Sequence, residues 1–341
     1  MSVTIRDVAE HAGLSLGTIS NYLNGGKVRP QNKKRIDDAI EALGFVPNEV
    51  ARSLKTRRTS LIGVIIPQII KPFHTVIISE IEDILRDHGY AVIICDSKEK
   101  LELEKSELSF LLNKHVDGLI ISPCTPFNDH FTAASQKNIP MVFLDCLLNP
   151  PLPRTSSIIV DNSEATSMGT HYLLEKGHRE IGLILGKQEI YTTKQRFLGH
   201  CNALKEAGVP FRPEYIIFGN YDIQSGYDSA RALLTMPQKP SVLFPTSYEL
   251  TIGAIKAINE LGLRIPDDIS LLGFDRLDFI SAIYPNLSTV CQPHQQIALN
   301  AAEELMRLCA DTETTREHYV CSLHTALVQG DTVQLRQSST I

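Results

Sequence analysis

From Leu61 onward the chain repeats one pattern: a short apolar run rich in β-branched residues, an amphipathic stretch, then another run. The runs cover residues 61–67, 91–96, 118–122, 141–145, 157–161, 181–186, 215–218, 242–245 and 269–275. Between them lie stretches with helical spacing, at 75–88, 102–114, 164–176, 195–207, 226–235 and 250–261. Strand alternating with helix predicts βαβ units and parallel sheet. Nine or more such units are too many for one ordinary sheet. Two doubly wound lobes with a ligand cleft between them are therefore expected.

The first 58 residues read differently, as short helices joined by turns. Thr4 with Asp7 forms a capping-box-like start, after which Ile5, Val8, Ala9 and Ala12 share one helical face. Gly13 stops that helix and makes a tight turn. Ser15 caps a second helix with apolar positions Ile19, Tyr22 and Leu23, and Asn24-Gly25-Gly26 breaks it. Pro30 suits the first turn of a third helix that runs through Ile36, Ala39, Ile40 and Leu43 to Gly44. Two short helices joined by a Gly-containing turn are the helix-turn-helix pattern, whose second helix enters the DNA major groove. A plain helical hairpin is the blander reading of the same pattern.

Charge supports the DNA reading once the chain is split. The net charge is −6, yet residues 1–60 carry ten Lys and Arg against six Asp and Glu, and the remainder 23 against 33. A basic head on an acidic body is the asymmetry expected when one end meets nucleic acid. The seven cysteines are scattered and odd in number, with no CxxC spacing, as expected of small buried hydrophobes; no metal site is expected. Arg6 and Asp7 stand where a secretory leader needs an apolar stretch, and no apolar run reaches the ~20 residues of a membrane span. A cytoplasmic protein is expected. An enzyme is the rival class, but a GxGxxG loop, a P-loop and an HExxH helix are absent from the sequence. A free-standing transport binding protein is the third class, and a helix-turn-helix head has no use in it.

At the level of whole segments the chain resembles the lactose-repressor (LacI) family of transcription regulators. The string TIRDVAEHAGLS…TIS…LN (residues 4–24), then LGFVPN (43–48), VARSL (50–54) and IGV (62–64), match the family's head, hinge and first core strand in order. Later family-like stretches include KPF (71–73), VDGLI (116–120), GHREIG (177–182), RFLG (196–199), IPDDIS (265–270) and GFD (273–275). The resemblance implies an all-α helix-turn-helix head at 1–46, a hinge helix and linker at 47–58, and a core at 59–341. The core would consist of two doubly wound parallel-sheet lobes like those of periplasmic sugar-binding proteins. One lobe would comprise about 60–161 with 293–322, the other about 162–292 with 323–341.

The same resemblance assigns roles. Leu16, Gly17 and Asn21 stand at the base-reading positions; Thr4, Ser15, Thr18, Ser20 and Asn24 stand at phosphate-contacting and helix-supporting ones. Asn21 replaces the usual Arg, and Asn pairs naturally with adenine rather than guanine. In the hinge, Asn48, Ala51, Arg52 and Lys55 flank Leu54, which stands where the family wedges a Leu into the minor groove of a palindromic operator bound by a homodimer. Effector contacts are implied for Phe73, Asp145, Thr192, Arg196, Tyr221, Ser247 and Asp275, and for Gln292 or its neighbour His294. Aromatic rings suit a sugar's apolar face, and Asp and Arg suit its hydroxyls. Lys194 with Arg196 would also tolerate a phosphate, so the expected effector is a sugar or sugar phosphate. Two departures stand out: Ser247-Tyr248 replaces the family's usual Asn-Asp, and Cys146 sits where Arg often follows the strand-end Asp.

Overall fold

The computed structural model describes residues 3–23, 25–46, 58–275, 286–311 and 317–336, and the chain falls into two compact units, Met1–Thr59 and Ser60–Ile341. In the head, α1 (Ile5–Ala12) starts at a complete capping box. The Asp7 amide donates to Thr4 Oγ1 at 3.4 Å, and Asp7 Oδ2 accepts from the Thr4 amide at 2.7 Å. Gly13 ends it at φ 61°, a left-handed conformation that costs glycine little. After α2 (Leu16–Leu23), α3 (Pro30–Leu43) opens on a proline, whose missing N–H would be unpaired there anyway. Val8, Ala9, Ala12, Ile19, Ile36, Ala39 and Phe45 close the core among the three helices. All but Phe45 belong to the apolar stripes that the spacing marks, and the remaining stripe residues Ile5, Tyr22, Leu23, Ile40 and Leu43 pack against them half-buried.

The second unit holds the alternating pattern as three sheets. Strands β1 (Leu61–Ile66), β2 (Ala91–Asp96), β3 (Gly118–Ile121), β4 (Met141–Leu144), β5 (Thr155–Val160) and β12 (Tyr319–Leu323) form one sheet in the order β12-β5-β4-β3-β1-β2, every pair parallel. Its two faces are covered by α4 (Pro72–Asp87) with α11 (His294–Ala310), and by α5 (Leu101–Asn113) with the short α6 (Thr132–Gln136). Burial on both faces is why β1, β3 and β4 read as unbroken apolar runs.

The other lobe has a parallel sheet in the order β7-β6-β8-β9, from β6 (Ile181–Leu185), β7 (Ile216–Phe218), β8 (Val242–Pro245) and β9 (Ser270–Leu271). Beside it lies a small sheet of β10 (Gly273–Phe274), β11 (Thr289–Cys291) and β13 (Ala326–Val328), in which β11 and β13 are antiparallel. That pairing departs from an all-parallel expectation: β13 enters this sheet directly from β12 of the other lobe's sheet, two residues away, rather than through a helical crossover within its own sheet. Helices α7 (Asn162–Glu175) and α8 (Tyr191–Glu206) pack on one face, α9 (Ile223–Leu234) and α10 (Tyr248–Glu260) on the other. The chain passes between the lobes three times, after β5, after β11 and after β12. Among the described residues no helix is long and apolar enough to cross a membrane.

Candidate functional site

In the head, Ser15 Oγ accepts from the Thr18 amide at 3.2 Å and bonds Thr18 Oγ1 at 2.9 Å, so two of the implied phosphate-side hydroxyls cap α2 together. Leu16 is 44% exposed and Gly17 is exposed beside it, while Ile19 is buried and Ser20 lies half-buried. Thr4 is engaged by Asp7. Asn21 departs from the expected geometry. Its Nδ2 donates to the Lys27 carbonyl at 3.2 Å, so in this structure it ties the turn after α2 to the helix. Reading a base with Asn21 requires that bond to be released. Residues 13–17 also spell Gly-x-Ser-x-Gly, but here the string joins two helices, whereas a nucleophile elbow needs a strand leading into it. Asn24, Asn48, Ala51, Arg52, Leu54 and Lys55 lie outside the described residues.

In the core, a cavity of about 490 Å³ is walled by both lobes at the carboxyl ends of their strands, the place where open parallel sheets bind ligands. The first lobe contributes Phe73, in the first turn of α4, and Asp145, which follows β4. The second contributes Thr192, Lys194 and Arg196 from α8, Tyr221 after β7 and Ser247 before α10. Asp275 after β10 and Gln292 after β11 complete the set. His294 is the exception. It opens α11 and packs edge-on to Phe73 at 5.4 Å, with Nε2 3.8 Å from Asp275 Oδ1, so it supports the wall from behind.

The local chemistry is specific. Asp145 and Asp275 both have positive φ, 51° and 64°, a conformation that Asp tolerates better than most residues and that turns each carboxylate off its strand end. Burial pushes Asp145 up to about 6, with Arg196 pulling the other way. Gln292 Nε2 donates to Asp275 Oδ1 at 2.8 Å. Arg196 is buried: Nε donates to Asn162 Oδ1 at 2.7 Å, a terminal nitrogen donates to the Thr246 carbonyl, and the guanidinium lies 4.1 Å from the Phe274 ring centre. The Tyr221 ring lies against Gly186, where any side chain would collide with it, and Tyr221 Oη accepts from Thr193 Oγ1 at 2.9 Å. Ser247 does double duty, since its Oγ also caps α10 by accepting from the Leu250 amide.

Several lining residues went unmarked by the sequence. His74 faces the cavity beside Phe73, with Nε2 3.2 Å from Ser122 Oγ; burial drives it down to about 4, so it is neutral at pH 7. Its Nδ1, like Gln292 Oε1, is buried without a hydrogen-bond partner among the described residues, and such atoms are costly unless a ligand or water satisfies them. Cys124 and Cys146 also line the wall, and burial raises both to about 12, which leaves them unreactive thiols. No group of side chains among the described residues can hold a metal ion.

Comparison with known proteins agrees with both units. The model of bacterial regulatory proteins, lacI family, matches residues 4–48, and that of periplasmic binding proteins and sugar binding domain of LacI family matches 59–324. An HTH-type transcriptional repressor PurR from Aliivibrio salmonicida is 33% identical over 328 residues, covering 95% of this chain and 97% of that relative. Its namesake from Yersinia pestis is 35% identical over 307 residues, 89% of each chain. Among solved structures, the lac repressor dimer bound to operator and the anti-inducer ONPF superposes with TM-score 0.84 at 26% identity, covering 98% of this chain and 100% of that one. The transcriptional regulator CelR–cellobiose complex gives 0.71 at 25% identity, covering 97% and 99%.

Proposed function

Because the chain belongs to the LacI family of bacterial regulatory proteins, DNA-binding repressors regulated by a small molecule held in the core, we propose that its effector is a sugar or sugar phosphate and that it acts as a homodimer on a palindromic operator. The observation that carries the effector reading is the cavity itself. The rings of Phe73 and Tyr221 and the strand-end carboxylates Asp145 and Asp275, one of each from either lobe, border one 490 Å³ space. Rings cover the apolar face of a pyranose or furanose, and carboxylates accept from its hydroxyls. The cellobiose complex among the structural relatives supports the same reading. Dye-monitored thermal unfolding of the full chain against saccharides, their phosphates and free nucleobases tests it. A saturable rise in melting temperature with one saccharide class is expected. A rise with a nucleobase and none with any saccharide overturns the sugar reading, since the same rings can stack on a flat heterocycle.

On the DNA side, we propose that Ser15, Leu16, Gly17 and Thr18 meet the major groove, and that Leu54 with its neighbours Asn48, Ala51, Arg52 and Lys55 forms a minor-groove wedge. Ten basic residues within 1–60 imply several phosphate contacts per subunit. Log affinity for operator should fall linearly with log salt, with a slope of about −0.9 per phosphate neutralised. Fluorescence anisotropy at stepped salt measures that slope. An affinity flat between low and physiological salt contradicts the electrostatic argument.

A further inference from the structure

We propose that Glu99 is a built-in counter-anion at the cavity mouth that restricts this repressor to uncharged effectors, a neutral saccharide rather than a phosphorylated one. The inference rests on the reading that this cavity holds the effector. Glu99 follows β2 in the first lobe. One carboxylate oxygen pairs with Lys71 Nζ from the same lobe, and the other lies 3.6 Å from Lys187 Nζ, which follows β6 in the second. All three side chains line the cavity.

Without Glu99, that mouth suits an anion. Helices α4 and α8 open onto the cavity from opposite lobes, and neither has a side-chain N-cap or an acid in its first turn. Their N-terminal amides and the two lysines would together favour negative charge. The carboxylate of Glu99 already occupies that position. The backbone is bent to put it there: Lys98 and Glu99 are consecutive non-glycine residues at φ 52° and 56°. The Lys98 amide donates to Asp96 Oδ1 at 2.9 Å and the Glu99 amide to the Pro67 carbonyl at 2.9 Å, and these bonds hold the turn. Left-handed residues in succession are unfavourable and persist where the surroundings fix them, commonly at functional sites.

The rest of the wall adds to the exclusion. Its cations are Lys71, Lys187, Lys194 and Arg196. Its carboxylates are Glu99, Asp145, Glu189, Glu249 and Asp275, one more than the cations. Arg196 already donates to Asn162 and Thr246. A phosphate entering this cavity meets net negative charge and must displace Glu99 from both lysines. A neutral polyol only donates hydrogen bonds to carboxylates that are already in place.

The test uses the full chain and inorganic phosphate as the probe. Thermal unfolding in sodium phosphate is compared with sodium chloride at equal ionic strength, and phosphate binding is titrated calorimetrically, for wild type, Glu99→Gln, Lys187→Gln and Glu99→Gln/Lys187→Gln. Wild type should show only the general, non-saturating stabilisation that phosphate gives any fold, with no saturable phosphate binding that depends on Lys187. Glu99→Gln should gain a phosphate-specific rise in melting temperature and bind phosphate roughly tenfold tighter, the scale of removing one like charge a few ångströms away at the surface. The second substitution should abolish that gain, which separates the cavity from the basic head. Phosphate-specific stabilisation of wild type that Lys187→Gln removes overturns the proposal, and that result needs no variant of Glu99 to fold. A Glu99→Gln protein with no gain, or with a gain indifferent to Lys187, also overturns it. The saccharide screen is independent of these outcomes, so failure of the sugar reading and failure of the counter-anion are separately visible.

Discussion

Replacing Arg196 by alanine is expected to abolish the effector response and to destabilise the core by about 3–5 kcal/mol, from two buried acceptors left unpaired together with the void that truncation opens. Arg196 projects from α8 and is 5% exposed. It holds Asn162 at the start of α7, the carbonyl of Thr246 at the end of β8, and the face of Phe274 in β10. Truncation leaves Asn162 Oδ1 and the Thr246 carbonyl without their donors, each worth ~1–3 kcal/mol when buried. It also opens a void between the rings of Phe274 and Tyr221, which both face the guanidinium. Arg196→Lys keeps the charge but not the fork, so it should recover only part of the loss. Urea unfolding gives the stability. Operator titration below the lowered melting temperature, with and without the saccharide that the thermal screen selects, gives the response. A variant within about 1 kcal/mol of wild type that still releases or binds operator on effector addition would remove Arg196 from both roles.

Much of this architecture was legible because burial is written into composition. Strands β1, β3 and β4 of the six-stranded sheet are apolar and buried on both faces and stand out as runs. The helix α11 carried a usable signal that went unmarked: Ile297, Ala298, Ala301, Ala302, Leu305 and Leu308 repeat at helical spacing and are all buried. Its alanines lower the contrast that a hydrophobic stripe needs. Strands β11 and β13 have three residues each, and β12 is largely exposed, so no periodicity could mark them. They complete two sheets only because residues far away in sequence supply the partners, Gly273–Phe274 for β11 and Ser156–Val160 for β12.

The candidate site divides the same way. Residues on secondary-structure ends that resemble the family's, such as Phe73, Asp145 and Asp275, could be marked from the string alone, and they do face one cavity. His294 could not be told from Gln292 without knowing that α11 begins between them, which turns the imidazole toward Phe73. Glu99 gave no signal, since a charge in a Ser-Lys-Glu-Lys turn reads as a solvated loop; only the left-handed backbone and the lysine from the other lobe show where it points. Asn21 is the converse case. Its residue type suits adenine, but its side chain is engaged by the Lys27 carbonyl.

Asp145→Asn should stabilise the ligand-free protein at pH 7.5 by on the order of 2–3 kcal/mol, at about 1.4 kcal/mol per unit of raised pKa, while leaving it nearly unchanged at pH 4. Burial raises this carboxyl from 3.8 to about 6, against the pull of Arg196. The native state therefore holds a proton between those values that the unfolded chain has lost. More protons bound in the native state means that stability falls as pH rises across that window, and the cost is complete above it. Asparagine carries no such cost. The wild-type curve alone will hide the effect, because buried histidines act with the opposite sign. His74, His178 and His200 are each lowered by burial from 6.5 to about 4, so they are neutral when folded and take up protons on unfolding. Their contribution is full above pH 6.5 and is lost as pH falls toward 4. The net wild-type stability should thus drop on acidification, and only the difference between variant and wild type isolates Asp145. Urea unfolding at half-unit steps from pH 4 to 7.5 measures it. A difference that is constant with pH would place Asp145 in contact with solvent or with a compensating cation, and would remove the desolvated carboxylate from the account of this cavity.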